Sequence, residues 1–237
     1  MRYKYRIRLF YSIVFLIVGL IIGYYLSSYG ISSLMGSFEN KLVAGDTNIK
    51  QASSQDNADV FNIGIILPES ESSVKNAIDL SIIEINLESS KKLAAIYENA
   101  DCSSKDVLDA MDSLKEKKIK FAYGIFCNET INTAIDASKE SSTILLIPAT
   151  SKISAKDFPV GLIRTKTYNG TTMNTNRFML AYKTLYKKDA DTYDAVSYDA
   201  VSIINLMLNN KQVKDYPGIV GIINLEKRNS VYLIVLE

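Results

Sequence analysis

The sequence predicts an α/β fold, a three-layer α/β/α sandwich around a mostly parallel sheet. From Asp59 onward, short apolar runs rich in β-branched residues alternate with segments whose apolar residues recur at helical spacing. The chain has 237 residues, 47% hydrophobic and 22% charged, which is the composition of an ordinary globular protein. Strands that alternate with helices form parallel sheets joined by right-handed crossovers.

The elements follow one another without long gaps between residues 59 and 237. Strands are predicted at residues 59–67, 92–98, 119–126, 143–148, 160–165, 218–225 and 231–236. Helices are predicted behind a Ser72 or Ser73 cap as far as Ile85, and at residues 103–117, 129–140, 176–186 and 190–208. Ser103 and Asp106 are spaced as a capping box. A polar, turn-rich joint at residues 168–176 separates the fifth strand from the helices that follow it.

Charge and composition exclude several classes of function. Four of the 27 Lys and Arg residues precede the first acid, which leaves 23 bases against 26 acids after residue 8. This balance argues against a nucleic-acid partner. The chain has no histidine, so it builds no Ser-His-Asp triad and no histidine-ligated zinc site. We expect no metal, no cofactor and no enzymatic activity, because Ser70 or Thr150 as a nucleophile lacks a recognisable base.

The amino terminus is predicted to be a transmembrane signal anchor. Residues 9–26 carry no charge, and at ~1.5 Å per residue they span about 27 Å, enough to cross a hydrocarbon core. Four basic residues, Arg2, Lys4, Arg6 and Arg8, lie within positions 1–8, and no Lys or Arg follows the apolar run before Lys41. This asymmetry predicts a cytoplasmic amino terminus and an extracytoplasmic domain at a cell membrane crossed once.

A cleaved signal peptide is the alternative to the anchor, and we favour the anchor because no good A-x-A site follows the apolar run. Residues 27–58 are rich in Ser, Gly, Asn and Gln and lack sustained apolar periodicity. Such a composition is typical of a flexible stalk between a membrane segment and a folded domain. The folded domain is therefore predicted to comprise residues 59–237.

Several strings in consistent order resemble the leucine-binding-protein branch of type I periplasmic binding proteins. They are IGIILPES, NAIDLSIIEIN, IYENADCSSKDVLDAMDSL, FAYGIFC, LLIPATS and FMLAYKTLYKKDADTYDAVSYDAV. The resemblance covers most of the segment from Val60 to Asn209. It implies a lobe that takes part in gripping an amino acid or similar small solute for an ABC permease.

The resemblance also implies roles for individual residues. Cys102 and Cys127 match positions that commonly form a disulfide in this family, and an oxidising compartment agrees with that pairing. Ligand contacts are implied for Ser70, Asn128, Thr130, Ala149, Thr150 and Ser151. Glu129 is better explained as an ordinary first-turn acid of the helix that follows, because it would repel a ligand carboxylate.

One departure from the family decides the functional expectation. In the family, the chain leaves the first lobe after the strand matching residues 160–165 and builds a second lobe before it returns. Here only the joint at residues 168–176 stands in that place, so we expect a single lobe with weak or lost solute binding. The alternative is a protein–protein interaction module, or half of an oligomeric receptor, in which the exposed face binds a second copy or a chain that supplies the second lobe.

Overall fold

A computed structural model describes residues 60–148, 160–226 and 230–236, all within one compact unit. The predicted cytoplasmic segment, anchor and stalk at residues 1–58 lie outside the described residues. In those three described ranges, no helix is both long enough and apolar enough to cross a membrane.

The described residues form eight strands and five α-helices. Their order is the predicted one except that the strand Tyr216–Pro217 was not predicted and the strand predicted at residues 218–225 begins at Gly221. The strands are β1 (Val60–Leu67), β2 (Lys92–Asn99), β3 (Phe121–Gly124), β4 (Ile144–Pro148), β5 (Gly161–Thr167), β6 (Tyr216–Pro217), β7 (Gly221–Leu225) and β8 (Val231–Leu236). The helices are α1 (Ser72–Glu88), α2 (Ser104–Glu116), α3 (Ile131–Ser141), α4 (Met173–Tyr186) and α5 (Thr192–Leu208), and a 3-10 turn, Asn128–Thr130, precedes α3.

One sheet contains all eight of these strands, in the order β2-β1-β3-β4-β8-β5-β7-β6. The first six in that order are mutually parallel, whereas β7 is antiparallel to both β5 and β6. Strand β8 lies between β4 and β5, with Leu146 opposite Tyr232 and Leu162 opposite Leu233. The late strand β8 therefore joins the first half of the described domain to β5.

Each face of the sheet is covered by a different pair of helices. On one face, Ile63 and Ile65 of β1 pack in a buried cluster with α1 and α5. On the other face, Ile66 of β1 packs in a cluster with α2 and α3. A strand that is apolar on both faces is what a parallel sheet between two helix layers requires. The predicted three-layer sandwich with a mostly parallel sheet is confirmed.

Helix α4 packs against the side of α1 and α5 that faces away from the sheet. Phe178 and Tyr182 of α4 are buried against Ala77 and Leu80 of α1 and Tyr198 of α5. The ring centroids of Phe178 and Tyr198 are 5.0 Å apart in an edge-to-face arrangement, which favours the pair beyond the area it buries. Helix α5 is consequently covered on the sheet side and on the α4 side.

The structure corrects the predicted start of two helices. Neither Ser72 nor Ser73 caps α1, because Lys75 N donates to Glu71 O at 3.2 Å and so makes Glu71 the N-cap. Helix α4 begins at Met173 instead of residue 176, because the Thr172 hydroxyl accepts from Thr175 N at 3.1 Å and caps the helix. The joint predicted at residues 168–176 therefore shortens to 168–172.

Truncation of a central β8 side chain will test the sheet order. Leu233 is fully buried, and we expect Leu233→Ala to lower the free energy of unfolding by about 2 to 5 kcal/mol. The control is Leu180→Ala on the outer side of α4, where the side chain is 69% exposed and the expected loss is below about 0.5 kcal/mol. Equal losses in urea unfolding of the two variants would contradict the central position of β8.

Candidate functional site

The candidate site lies at the edge of the sheet where the parallel strands end, called here the carboxyl edge. Its described loops are residues 68–71 after β1, 100–103 after β2, 125–130 after β3 and 168–172 after β5. Ligand sites of open parallel α/β sheets lie outside the carboxyl ends of the strands. The topology thus gathers the sequence-predicted residues Ser70, Asn128 and Thr130 at one edge.

A disulfide between Cys102 and Cys127 ties two of these loops together. The two Cα atoms are 5.3 Å apart and the residues are 25 positions apart in sequence. Thr133 Oγ1 donates to Ser104 Oγ at 3.1 Å and adds a second link between the same two crossovers. The predicted disulfide is confirmed, and no described cysteine is free.

The chain turns sharply where β3 enters the edge. A Cβ at Gly124, where φ is +148°, would lie 2.1 Å from Ile66 O, so only glycine fits there. The next residue, Ile125, has a φ of 69°, which is strained for a β-branched side chain. This bend carries Phe126, Cys127 and Asn128 out of the strand and onto the carboxyl edge.

Two aromatic rings line the edge beside this bend. The Phe126 and Tyr193 centroids are 6.4 Å apart, and Tyr193 at the start of α5 is 42% exposed. Beneath them, the Tyr123 hydroxyl and the Ser197 hydroxyl are 2.8 Å apart, and Ser197 Oγ donates to Tyr193 O at 2.6 Å. Sequence reasoning missed Tyr193, because nothing in the pattern of α5 distinguishes a first-turn tyrosine at an edge from one in the core.

Ser70 and Asn128 occupy corresponding places on neighbouring loops. Ile66 of β1 is in register with Gly124 of β3, and each candidate follows its strand residue by four positions. Ser70 is exposed in the turn that Glu71 N closes by donating to Pro68 O at 3.0 Å. Asn128 is half-buried at the start of the 3-10 turn. Ligand contact by either residue stays a prediction.

Thr130 differs from these two residues in its surroundings. It is 2% exposed, and its hydroxyl donates to Cys127 O at 2.9 Å, so its proton is used within the turn. Ala149, Thr150 and Ser151 follow β4 and lie outside the described residues. The ligand roles of these four residues likewise stay predictions.

The described loops of the carboxyl edge carry only acidic charges. Glu69, Glu71, Asp101 and Glu129 lie in these loops, and the loops contain no Lys or Arg. An edge of this kind attracts the ammonium group of a solute and repels a carboxylate. No group of three or more acidic or cysteine side chains suited to a metal ion occurs in the described part of the chain.

A buried carboxylate supports α5 just behind the aromatic pair. Asp194 is 1% exposed, and its Oδ2 accepts from Asp191 N at 2.9 Å in a reciprocal capping box. Burial raises the pKa of Asp194, and the hydrogen bond from Asp191 N opposes that rise. Asp194 thus fixes the helix turn that presents Tyr193.

Comparison with solved structures shows similarity to substrate-binding proteins. The branched-chain amino acid transporter substrate binding protein LivJ from Streptococcus pneumoniae, in complex with isoleucine, matches with a TM-score of 0.57 and 9% identity over 74% of this chain and 94% of that chain. An ABC transporter substrate-binding protein from Desulfitobacterium hafniense, complexed with Leu, matches with a TM-score of 0.48 and 11% identity over 73% of this chain and 93% of that chain. The leucine binding protein LivK from Thermotoga maritima matches with a TM-score of 0.43 and 11% identity over 69% of this chain and 91% of that chain.

No family model matches the chain, and no curated protein matches it. At 9% identity the likeness to LivJ concerns the fold. The described residues have the fold of one lobe of a type I periplasmic binding protein, as the sequence resemblance implied. The names of these three proteins describe substrate-binding or leucine-binding proteins.

Removal of the disulfide is expected to destabilise the domain. A crosslink closing a loop with a separation of 25 residues stabilises the fold by about 3.5 kcal/mol in the chain-entropy model. We expect the double variant Cys102→Ser, Cys127→Ser to unfold in urea with about that loss, and the oxidised protein to show no free thiol when denatured. Wild-type protein unfolded in the presence of a reductant is the control and should match the variant. Labelling of both cysteines in the untreated protein by a thiol reagent would contradict the bridge.

Proposed function

We propose that the chain is a membrane-tethered, extracytoplasmic solute-binding domain that holds an amino acid weakly at its carboxyl edge and acts beside an ABC permease. The observation that carries the proposal is the open carboxyl edge on a type I periplasmic-binding-protein fold. At that edge, the disulfide-linked loops, Asn128, the partly buried Phe126 and the exposed Tyr193 lie together. The similar LivJ structure contains isoleucine, a solute with an ammonium group and an apolar side chain.

The affinity follows from the openness of the edge. The strands in the described ranges form one sheet, so a solute at its edge contacts one face of protein and water on the other. Pockets that bind small ligands tightly bury most of the ligand surface. A one-sided contact gives up about half of that burial, which places the expected dissociation constant near the millimolar range, or about −4 kcal/mol.

The charges of the edge decide which end of an amino acid is held. Glu69, Glu71 and Glu129 favour the ammonium group, while the rings of Phe126 and Tyr193 offer an apolar surface to the side chain. The carboxylate then points toward water. A solute that lacks the ammonium group is therefore a poor ligand, whereas one that lacks the carboxylate charge still binds.

A titration with three related ligands tests this assignment. We expect leucine and leucinamide to shift the backbone amide signals of residues 69–71 and 125–130 in ¹⁵N-labelled full-length chain, with half-saturation at about 1 mM or above. N-acetyl-leucine, which has no ammonium group, serves as the matched control and should leave these signals in place. Equal shifts with N-acetyl-leucine, or none with leucinamide up to about 20 mM, would contradict the proposal.

A charge-removing variant locates the binding site within the edge. Glu129 is exposed in the 3-10 turn, and Glu129→Gln should weaken leucinamide binding about two- to fivefold, since an exposed charge contributes up to about 1 kcal/mol. Glu116→Gln, at the last residue of α2 and away from the carboxyl edge, is the control and should leave binding unchanged. An equal effect of the two variants would point to a nonspecific charge effect.

The membrane tether is a separate part of the proposal and has its own test. The uncharged run at residues 9–26 and the basic segment before it support an anchor with the domain outside. The full-length chain should remain with the membrane after an alkaline wash, and a variant lacking residues 1–26 should be released. Protease added outside intact cells should digest the domain, and protection of the domain would place it on the inner side.

A further inference from the structure

The connection between β5 and α4, residues 168–172, contains the single Asn-Gly pair of the sequence, Asn169-Gly170. Both residues are exposed in a bend. An asparagine side chain and the backbone nitrogen of the residue after it are separated by few enough bonds to close a five-membered ring. Whether this ring closes depends on how freely the backbone nitrogen of residue 170 can reach the Asn169 side chain.

Gly170 leaves its backbone nitrogen unhindered. Apart from the two chain neighbours, no heavy atom lies within 4 Å of the position that a Cβ would take at Gly170, where φ is +105°. A side chain at this residue would crowd the nitrogen, and residues other than glycine rarely adopt a φ of this sign. Glycine therefore gives the peptide nitrogen both the space and the conformational freedom to approach the Asn169 side chain.

Neither reacting group is held by a hydrogen bond to another described residue. The Asn169 side-chain amide has no such partner, and Gly170 N donates to no backbone carbonyl among the residues that the structure describes. A hydrogen bond to either group would have to break before the ring could close. A neighbouring backbone bond joins Tyr168 N to Val220 O at 3.2 Å and leaves both reacting groups unrestrained.

The far end of the connection is held in place as well. From the first turn of α4, Thr175 Oγ1 donates to Ile219 O at 2.7 Å, in the loop between β6 and β7. The Thr172 hydroxyl caps α4 by accepting from Thr175 N at 3.1 Å. The part of the connection that can change conformation without breaking these bonds is therefore residues 169–171.

We propose that Asn169 is a site of spontaneous deamidation, in which the Gly170 backbone nitrogen is the nucleophile and water is the second reactant. The deprotonated nitrogen bonds to Asn169 Cγ, and the Cγ–Nδ2 bond breaks. Nδ2 leaves as ammonia with the proton that the ring nitrogen has lost, and a five-membered succinimide remains. Water then opens this ring at either of its carbonyl carbons, which gives aspartate or isoaspartate at position 169. The reaction needs no oxidant or reductant, and it is independent of solute binding at the carboxyl edge.

The products change both the charge and the length of the connection. Either product replaces a neutral amide by a carboxylate, in a set of loops whose charged side chains are already all acidic. Isoaspartate also inserts one methylene carbon into the main chain. Because only five residues, 168–172, separate β5 from α4, the extra atom alters the path between two ends that are held in place. Deamidation therefore makes the carboxyl edge more acidic and changes the geometry of the connection.

Incubation of the purified full-length chain at physiological temperature tests the site by mass spectrometry. Trypsin releases residues 167–177 as one peptide, which contains both Asn169 and Asn176. We expect this peptide to gain the mass of an amide exchanged for an acid at Asn169, and to gain it faster as pH rises above neutrality, because the attacking nitrogen must lose its proton. Asn176 is the internal control, since Arg177 N lies inside α4, where each backbone N–H donates to the carbonyl four residues earlier. Equal conversion at the two asparagines, or a rate that does not rise with pH, overturns the proposal.

Two variants test the roles of the reacting groups. Asn169→Gln keeps the amide but would have to close a six-membered ring, so conversion at this position should stop. Gly170→Ala crowds the nucleophile and should slow conversion, and urea unfolding of this variant shows whether the strained φ at residue 170 has also affected the fold. Conversion of Asn169→Gln at the wild-type rate would rule out the proposed ring closure.

A reference peptide shows whether the folded chain leaves the site open. A synthetic peptide of residues 167–177 gives the rate without the fold, and the folded chain should react no more than about tenfold more slowly, since an exposed segment without hydrogen bonds deforms at little cost. Stronger protection in the folded chain would contradict the proposal. Because none of these measurements includes an added solute, failure of deamidation and failure of solute binding are distinguishable.

Discussion

The structure depends on the burial of helix α5 on all of its sides. Every residue from Asp194 to Ile204 is buried, because the sheet, α1 and α4 surround this helix. A helix in that position forces each of its polar side chains to find a partner inside the protein. The positions of those partners determine how three parts of the structure are held: the connection between β5 and α4 at residues 168–172, the hairpin of β6 and β7, and the carboxyl edge.

Three polar side chains of α5 show this division of roles. Ser197 lies 2.8 Å from the Tyr123 hydroxyl and so ties α5 to β3 below the aromatic pair. Asp194 closes the capping box at the start of the helix. Two residues beyond Ser197, Asp199 binds the β6–β7 loop. Helix α5 therefore supports the candidate site through Asp194 and Ser197 near its start. Through Asp199 it supports the β6–β7 loop, which in turn contacts the connection between β5 and α4.

The sequence predicts most of the fold because the spacing of its apolar residues indicates which residues of each helix and strand are buried. Strands β1, β2, β4 and β8 agree with their predicted ranges within about one residue at each end, and the alternation with helices gives the sandwich. Periodicity gives no information on which non-neighbouring strands pair. The central place of β8 and the antiparallel direction of β7 were therefore not predictable.

The candidate site was less predictable, for a related reason. The disulfide followed from the family resemblance, because cysteines have few alternative partners in a chain that contains only two. Asp199 lies in a YDAV string with the composition of an ordinary amphipathic helix, and its amide partners are backbone groups that leave no mark in the sequence. Likewise, the Thr172 hydroxyl caps α4. In the sequence, Thr172 stands in a polar segment whose composition is equally typical of a loop.

The short connection between β5 and α4 lets the described strands form one sheet. Five residues, 168–172, separate β5 from α4, and a chain of that length reaches at most about 17 Å. That reach suffices because Tyr168 N binds Val220 O and Thr175 Oγ1 binds Ile219 O, which places both ends of the connection against the same loop. A second lobe inserted here would enter and leave at neighbouring points, so the sheet forms across this point without stretching the chain. In the described part of the chain, no second sheet lies opposite the carboxyl edge.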